Sequence, residues 1–264
     1  MLIDFHAHVF LDKLAAGAVS SLAQKAHLTP FADGTVAGTR ALMRSQGVDR
    51  FVALNIAVSP RTQTNVNNFA ISLLEDPSII PFGSVHPASP DALAELTRLK
   101  EAGIRGVKFH NEYQNFYADD ETAFPVYEKC EEEGLIMLFH GGADRGFEPP
   151  VKANPSRLRR VALRFPQAKI VAAHLGGQAM EEEAADELAD TGVFVDTSFA
   201  SLCLYPEKGE KIIRAFGEDR VLFGTDCPWD TPESTLAWLG KMNFSDVALQ
   251  KIYWRNALRL LGEK

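Results

Sequence analysis

Cysteine is scarce in this chain, with 3 among 264 residues, at positions 130, 203 and 227. No two of them are spaced as Cys-x-x-Cys and their number is odd, so neither a disulfide framework nor a thiolate zinc site is expected. Sparse, unpaired cysteine is typical of a reducing compartment. Since the first apolar run also starts directly after Met1, leaving no room for a signal peptide, the sequence predicts a cytoplasmic protein.

Long apolar runs and positive charge are also lacking. No apolar stretch approaches the roughly 20 residues that a membrane span needs. The chain has 27 Lys and Arg against 35 Asp and Glu, a net charge of −8, and no basic cluster offsets this. Nucleic acid and an anionic membrane are therefore excluded as main partners. A small-molecule substrate is the expected partner, and assembly as a homo-oligomer is left open.

What the chain does have is a regular alternation of short apolar runs with helical patterns. Eight runs stand out, at residues 2–8, 50–56, 79–86, 106–110, 135–140, 169–174, 193–197 and 221–226. Helices are predicted at residues 91–102, 119–133, 154–165, 181–191, 207–216, 233–241 and 245–261. Strands that alternate with helices indicate a parallel sheet, and eight such units predict an α/β fold, a single-domain (β/α)₈ TIM barrel over residues 1–264.

A doubly wound open sheet is the alternative fold. It is disfavoured because chemistry-bearing residues end the first, fourth, fifth, sixth and eighth runs, and only a closed barrel brings the first and eighth strands side by side. Residues 10–34 form the longest irregular stretch. They are interpreted either as a lid over the barrel mouth or as a helix followed by a loop.

Histidines mark the ends of the apolar runs, and of the seven only His27 lies away from such an end. His6 and His8 close the first run, and residues i and i+2 of a strand point to the same face. His140, His174 and Asp226 close later runs. In a barrel these side chains converge at one mouth.

Imidazoles with one carboxylate form a ligand set suited to Zn²⁺, with Mn²⁺, Fe²⁺ and Co²⁺ as alternatives. The sequence therefore predicts one divalent metal ion whose coordination keeps a position for water. A bound dication lowers the pKa of that water towards ~7. Asp226 can then accept the proton of the water and pass it to a leaving group, while His174 stabilises an oxyanion.

Four segments in combination resemble the amidohydrolase superfamily, most closely its amidohydrolase 2 group of TIM-barrel metal-dependent hydrolases and related decarboxylases. They are Asp-Phe-His6-Ala-His8, Phe-His140-Gly-Gly, Ala-His174-Leu-Gly-Gly and Phe-Gly-Thr-Asp226-Cys-Pro-Trp. Residues 252–261 also look like the C-terminal helix of that group. The resemblance implies that His6, His8, His140 and Asp226 hold one metal, with His174 beside it as an acid/base or polarising residue.

Lys108 and His110 share one face of the fourth run. In binuclear members of the superfamily a carboxylated lysine on this strand bridges two metals, whereas the amidohydrolase 2 group mostly uses one. The favoured interpretation of Lys108 is a buried or rim cation paired with a carboxylate, and its carboxylation and a second metal are left open. His110 is interpreted as a substrate contact or a structural hydrogen-bonding residue, and His86 as a rim residue or a neighbour of the ligands.

Substrate contacts are suggested by position after strand ends alone. The candidates are Asn55, Arg61, Tyr113, Arg145, Tyr205 and Trp229. An arginine such as Arg145 can hold a carboxylate in bidentate fashion, and Trp229 can pack on a ring. For any one of them the alternative is a solvated loop residue.

Three functions are consistent with these residues. The leading interpretation is a metal-dependent hydrolase of a small carbonyl substrate (an amide, lactone or ester). The alternative is a metal-dependent non-oxidative decarboxylase of an aromatic or unsaturated carboxylic acid. The compact chain favours hydrolysis, since decarboxylases of the group tend to carry larger insertions. The third interpretation is a metal-binding barrel that binds a partner without catalysis.

Overall fold

Eight short parallel strands form the centre of the computed structural model, which describes residues 1–263. They are β1 Ile3–His8, β2 Arg50–Leu54, β3 Ile79–Phe82, β4 Gly106–Phe109, β5 Ile136–Phe139, β6 Lys169–Ala172, β7 Phe194–Asp196 and β8 Val221–Leu222. Each begins within one residue of a predicted run and most end earlier than the run does. The predicted chemistry at the ends of later runs, such as His140 and Asp226, therefore lies in the segments that follow the strands.

The strands close into a ring. Regular ladders join β1 to β3 in one sheet and β4 to β8 in another. At one seam, the backbone of Gly83 exchanges hydrogen bonds with Gly106 and Lys108, at 3.0 and 2.8 Å. At the other seam, Phe5 N–H donates to the carbonyl of Phe223 at 2.7 Å. The fold is thus the predicted (β/α)₈ barrel, because an open sheet would leave these edges unpaired.

Helices surround the barrel. They are α1 Asp12–Ala26, α2 Val36–Ser45, α3 Gln63–Ser72, α4 Ala92–Ala102, α5 Asn111–Gln114, α6 Phe124–Glu133, α7 Pro155–Arg164, α8 Glu181–Leu188, α9 Ala200–Cys203, α10 Pro206–Phe216, α11 Pro232–Leu239, α12 Asp246–Gln250 and α13 Asn256–Leu261. The predicted helices at 91–102, 154–165, 207–216 and 233–241 are confirmed to within two residues at each end. The helix predicted at 181–191 ends at Leu188, and a 3₁₀ turn at Glu121–Ala123 precedes α6 within the range predicted at 119–133.

Two helical regions differ from the predictions for identifiable reasons. The helix predicted at 245–261 is interrupted by the π-helical segment Lys251–Arg255, where the carbonyl of Ile252 accepts the N–H of Phe223 from the barrel at 2.9 Å. The helix α3 was not predicted because part of its buried face is polar. Asn67, for example, is fully buried and hydrogen-bonds Ser84 and Glu95. Hydrophobic periodicity cannot detect such a face.

Two layers of apolar side chains make up most of the core. The barrel interior is filled by inward-facing residues such as Phe5, Val52 and Leu138, and it is closed at its amino-terminal end by α13 through Leu260 and Leu261. A larger layer lies between the strands and the surrounding helices. The packed interior leaves the carboxyl ends of the strands as the open mouth of the barrel.

The stretch at residues 10–34 contains α1, and this helix packs at the barrel mouth. Val19 of α1 lies in a small apolar cluster with Phe199 and Trp229, which follow β7 and β8. Each of the two interpretations of residues 10–34, a lid over the mouth or a helix followed by a loop, therefore describes part of the stretch. It is a helix with a loop, and the helix borders the mouth.

The structure leaves all three cysteines as free thiols. Among residues 1–263, none of the helices combines the length and apolarity needed to cross a membrane.

Candidate metal centre

His6, His8 and Asp226 meet at the mouth of the barrel. The two histidines end β1, and the Nε2 atom of each lies 3.2 Å from Oδ1 of Asp226. These three residues offer ligand atoms that all lie within 4.8 Å of one another. The pairing of the first and eighth strands, which the sequence argument required, is therefore present.

Backbone and side-chain contacts hold Asp226 against β1. Its N–H donates to the carbonyl of His6 at 2.8 Å, and its φ of 71° is in the left-handed region, which costs a non-glycine residue conformational energy. Asp4 is fully buried and accepts the N–H and hydroxyl of Thr225 at 3.1 and 2.6 Å, as well as the N–H of His6. Burial raises the pKa of Asp4 to about 7, against these hydrogen bonds.

The hydrogen bonds of His6 and His8 assign their tautomers. Nδ1 of His6 lies 2.8 Å from a carboxylate oxygen of Asp196, and Nδ1 of His8 lies 3.2 Å from the carbonyl of Leu54. Because both partners can only accept, each Nδ1 carries the proton. In the neutral imidazoles, Nε2 is then an unprotonated lone pair directed towards Asp226.

The same reasoning extends to His140 through His174. Ser198 donates its hydroxyl proton to Asp196, so its Oγ accepts from Nδ1 of His174 at 2.8 Å. Nε2 of neutral His174 must then accept from Nδ1 of His140, at 3.0 Å. His140 is left with a lone pair on Nε2, a buried atom with no hydrogen-bond partner in residues 1–263.

These residues fit a divalent metal ion. Three lone pairs on Nε2 atoms and one carboxylate form a set of acceptors with no cation in direct contact among the described residues. Two of the nitrogens, on His6 and His140, are buried there without a hydrogen bond. Burial and Lys108 lower the pKa of His6, but Asp196 and Asp226 outweigh them, so the pKa is raised. The two carboxylates thus favour a positive charge at this position. Neutral imidazole and carboxylate are ligands of zinc and of manganese.

The four predicted ligands are not all equally close. The ligand atoms of His140, His110 and Asp144 lie within 4.8 Å of one another, whereas His140 does not belong to the corresponding cluster of His6, His8 and Asp226. Its ring stacks on that of His110 with 4.2 Å between centroids. Assignment of His140 as the fourth ligand therefore stays a prediction, supported by its free Nε2.

His174 lies behind His140. It is buried, it does not line the large cavity described below, and both of its ring nitrogens have partners. Burial lowers the pKa of His174 to about 4, against the opposing charge of Asp226. The residue is consequently a neutral imidazole that contacts His140.

Lys108 contradicts one expectation. Its side chain is fully buried, but Nζ has neither a hydrogen-bond nor an ion-pair partner within the described part of the chain, so the expected pairing with a carboxylate is wrong. Burial lowers the pKa of Lys108 to about 8, although Asp196, Asp226 and Asp144 favour the charged form at longer range. The ammonium thus acts on these carboxylates through space.

His110 and Tyr113, which follow β4, lie at the mouth of the barrel. Nε2 of His110 is 3.3 Å from Asp144, and the ring of Tyr113 packs edge-on against that of His110. His86 contacts the carbonyl of Gln114 at 3.0 Å and does not line the cavity. It is a rim residue, one of the two expectations for it.

A cavity of about 1030 Å³ opens above the centre. Its floor includes His8, His110, His140 and Asp226. Of the six residues suggested as substrate contacts, Asn55, Tyr113, Arg145 and Trp229 line the cavity. Arg61 and Tyr205 do not, and Tyr205 is 83% exposed, in agreement with the solvated-loop alternative.

Sequence reasoning missed the residues that support the centre, namely Asp4, Asp144, Asp196 and Ser198. Asp196 is the clearest omission, because it ends β7 in the same way that the chosen residues end their runs. An acidic residue at the end of an apolar run was a usable signal. Asp144 and Ser198 lie in loops and carry no comparable pattern.

Close backbone approach next to His140 requires glycine. Gly142 has a φ of 78°, and a Cβ there would lie 2.3 Å from the backbone nitrogen of Gln178. Glycine at position 142 therefore permits a tight turn at the mouth of the barrel.

The barrel and the cluster of histidines and carboxylate at its mouth define a class, the metal-dependent TIM-barrel enzymes. The family model described as amidohydrolase matches residues 3–262, and the chain belongs to this family. The predicted resemblance is thereby confirmed. No curated protein matches the chain.

Solved structures share the fold across nearly the whole chain. An uncharacterised TIM-barrel protein from Bordetella bronchiseptica is 22% identical, with a TM-score of 0.78 and coverage of 99% of this chain and 98% of that one. The 5-carboxyvanillate decarboxylase of Sphingomonas paucimobilis is 18% identical, with a TM-score of 0.75 and coverage of 100% and 99%. The 5-carboxyvanillate decarboxylase of Novosphingobium aromaticivorans, solved with manganese and 4-hydroxy-3-methoxy-5-nitrobenzoic acid, is 15% identical, with a TM-score of 0.76 and coverage of 99% and 96%.

Replacing His140 tests the ligand assignment. We expect His140→Ala to purify with much less divalent metal than the wild type and to lose turnover, because one nitrogen ligand is removed. Metal content is measured by mass spectrometry after loading and desalting. His27→Asn is the control, since His27 is exposed, does not line the cavity and has a left-handed backbone that suits asparagine. Full metal content in His140→Ala would exclude the residue as a ligand.

Replacing Asp196 tests the tautomer argument. One carboxylate oxygen of Asp196 accepts from His6, and the other accepts from the backbone N–H groups of His174 and Ser198. An amide has one acceptor atom, so Asp196→Asn leaves a donor facing a donor. We expect metal affinity to fall about 10- to 100-fold in competition titrations with a chelator. Asp190→Asn, which alters an exposed ion pair, should leave it unchanged, and equal affinities in all three proteins would contradict the argument.

Proposed function

We propose that the protein is a metal-dependent non-oxidative decarboxylase of an aromatic carboxylic acid. The observation that carries the proposal is the cavity, in which aromatic side chains share one space with residues of the candidate metal centre. Five aromatic side chains line it, namely Phe10, Phe69, Tyr113, Phe199 and Trp229. Aromatic and apolar walls with a few convergent polar groups are typical of sites for small aromatic ligands.

Arg145 is proposed as the anchor for an acidic group of the substrate. It lines the cavity above Phe199, with its guanidinium carbon 5.3 Å from the ring centroid. In the portion of the chain that the structure covers, Arg145 has no carboxylate within ion-pair distance. Its Nη2 contacts Sγ of Cys203 at 3.7 Å. A guanidinium held against an aromatic face and without a carboxylate partner is available to a substrate carboxylate.

His6, His8, His140 and Asp226 are proposed to hold one divalent ion. When bound, such an ion supplies Lewis-acid polarisation of a substrate oxygen. Manganese is present in the structure of the Novosphingobium decarboxylase, and this supports Mn²⁺ as well as the zinc that the ligand set suggested. Reconstitution with each metal in turn decides between them.

Asp226 is the proposed carrier of the proton. Burial would raise the pKa of Asp226, but the contacts with His6 and His8 outweigh it and hold the pKa well below its usual range. The ionised carboxylate takes up a proton from the solvent and delivers it to the ring carbon that bears the substrate carboxylate, so that one solvent proton is consumed in each turnover. The bond between the two carbons then breaks, its electron pair stays on the ring, and the carboxylate leaves as CO₂.

His174 is proposed to act through another residue. Because it contacts His140 and does not line the cavity, it orients that imidazole and assigns its tautomer rather than touching the substrate. This revises the direct acid/base role considered from the sequence to that of a positioning residue.

Hydrolysis, the leading interpretation from sequence, has less support than decarboxylation. Several of the structures that share this fold, at identities of 15–18%, are decarboxylases of hydroxylated aromatic acids. The compactness of the chain does not separate the two reactions, since the Sphingomonas decarboxylase aligns over 99% of its length. The same residues would serve a carbonyl substrate, so a direct assay is required.

Carbon dioxide release is the decisive measurement. We expect the metal-loaded protein to release CO₂ from one or more hydroxylated benzoic acids and to leave matched amides, lactones and esters intact. In D₂O the product should carry one deuterium at the carbon that lost the carboxylate, because the proton comes from an exchangeable group. Consumption of the carbonyl panel without CO₂ would establish hydrolysis instead, and no turnover on either panel would favour a binding role.

Arg145→Met tests the carboxylate anchor. A hydrogen bond to a charged group contributes roughly 1.5–3 kcal/mol, so we expect the KM for the acid to rise about 10- to 100-fold. Arg61→Met is the matched control, because Arg61 also follows a strand end but does not line the cavity. An unchanged KM in Arg145→Met would remove this residue from the site.

A further inference from the structure

The cavity extends well beyond the candidate metal centre. It continues from the floor formed by His8 and Asp226 outwards between α1 and α3 as a single space. Its volume of about 1030 Å³ lies at the top of the range of roughly 300–1,000 Å³ for pockets that hold drug-sized ligands. A single substituted ring over the metal centre would leave the outer part, here called the α1–α3 cleft, unfilled.

Helix α1 has two apolar faces. Ala15 and Val19 are buried, and Val19 packs near Trp229. A second stripe, Leu11, Leu14, Ala18 and Leu22, has the helical spacing of three and four residues and lines the α1–α3 cleft. Leu11 is 36% and Leu14 is 55% exposed, so this stripe contributes apolar surface that the packing of α1 does not bury.

The opposite wall of the cleft is mixed. Val66 and Phe69 of α3 face the cavity, together with Val58, which is 47% exposed. Asn65 and Asn68 lie among them. The only acidic residues of the whole cavity, Asp144 and Asp226, line it near the metal centre rather than from α1 or α3. The outer wall along α1 is therefore mainly apolar, with Lys13 as its one cation.

We propose that the α1–α3 cleft is a subsite for a hydrocarbon substituent of the substrate, an alkyl or acyl chain attached to the aromatic acid. The occupant is inferred from continuity, because whatever fills the cleft shares one space with the reacting group and is most simply part of the same molecule. Walls that are mainly apolar and carry no carboxylate favour a hydrocarbon. The assignment of an aromatic acid as the reacting part of the substrate rests on the proposed function, whereas the presence of the apolar cleft does not depend on it.

A chain-length series tests the subsite. The protein loaded with Mn²⁺ is titrated calorimetrically with 4-alkyl-2-hydroxybenzoates from methyl to octyl. We expect the affinity to rise about three- to fourfold for each added methylene until the cleft is filled. The heat-capacity change of binding should become more negative along the series, which is the signature of buried apolar surface. An affinity that does not depend on chain length would overturn the proposal.

Leu14→Asp supplies the specific variant. A carboxylate on the α1 wall should abolish most of the gain in affinity with chain length. Leu163→Asp is the matched control, since Leu163 is a 61% exposed leucine on α7, outside the cavity. Thermal melting confirms that both variants fold. Equal chain-length gains in Leu14→Asp and Leu163→Asp would contradict the subsite.

The remaining outcomes distinguish the proposed subsite from a dimer interface and from the proposed decarboxylase function. A wild-type dimer in sedimentation that Leu14→Asp dissociates would overturn the subsite, because a second copy would then cover the stripe. Release of CO₂ from the methyl compound without any chain-length effect would leave the proposed function intact and reject the subsite. A chain-length effect on binding without CO₂ from any acid would support the subsite and reject decarboxylation.

Discussion

The seam between β1 and the segment after β8 is the constraint on which the site depends. Backbone hydrogen bonds from Phe5 to Phe223, from Asp226 to His6 and from His8 to Cys227 set its register. Since alternate residues of a strand face opposite sides, a shift of one residue would turn both imidazoles away from Asp226. Asp4 reinforces the register by binding Thr225 directly before the carboxylate. Closure of the fold and assembly of the centre are therefore one event.

The protonation of the histidines at the mouth depends on that seam and on the hydrogen-bond acceptors that surround His6 and His8. Asp196 and the carbonyl of Leu54 hold protons on the Nδ1 atoms of His6 and His8, which leaves lone pairs directed at an ionised carboxylate. Lys108 is buried beneath this cluster without a direct partner in residues 1–263. A concentration of buried acceptors is costly unless a cation is present, and for this reason the residues fit a divalent metal ion.

The strands and the convergence of His6, His8 and Asp226 could be predicted, and the supporting structure could not. Apolar runs that end in His140, His174 or Asp226 carry a local signal, and every strand begins within one residue of the run that predicted it. The helix α3 buries Asn67 and gives no periodic signal, because its polar atoms are satisfied by Ser84 and Glu95 far along the chain. The pairing expected for Lys108 failed for a similar reason, since no sequence pattern states which carboxylates reach a buried ammonium.

The sequence by itself determined the alternation of strands and helices, the two imidazoles on one face of β1, and the kind of ligands available for a metal. These are local properties, because spacing and residue type decide them within a few positions. Only the tertiary structure decided which nitrogen of each histidine carries the proton, that His174 lies behind His140, and that α1 and α3 extend the cavity away from the centre. Those features depend on contacts between residues distant in the chain, and they arise only when the barrel closes.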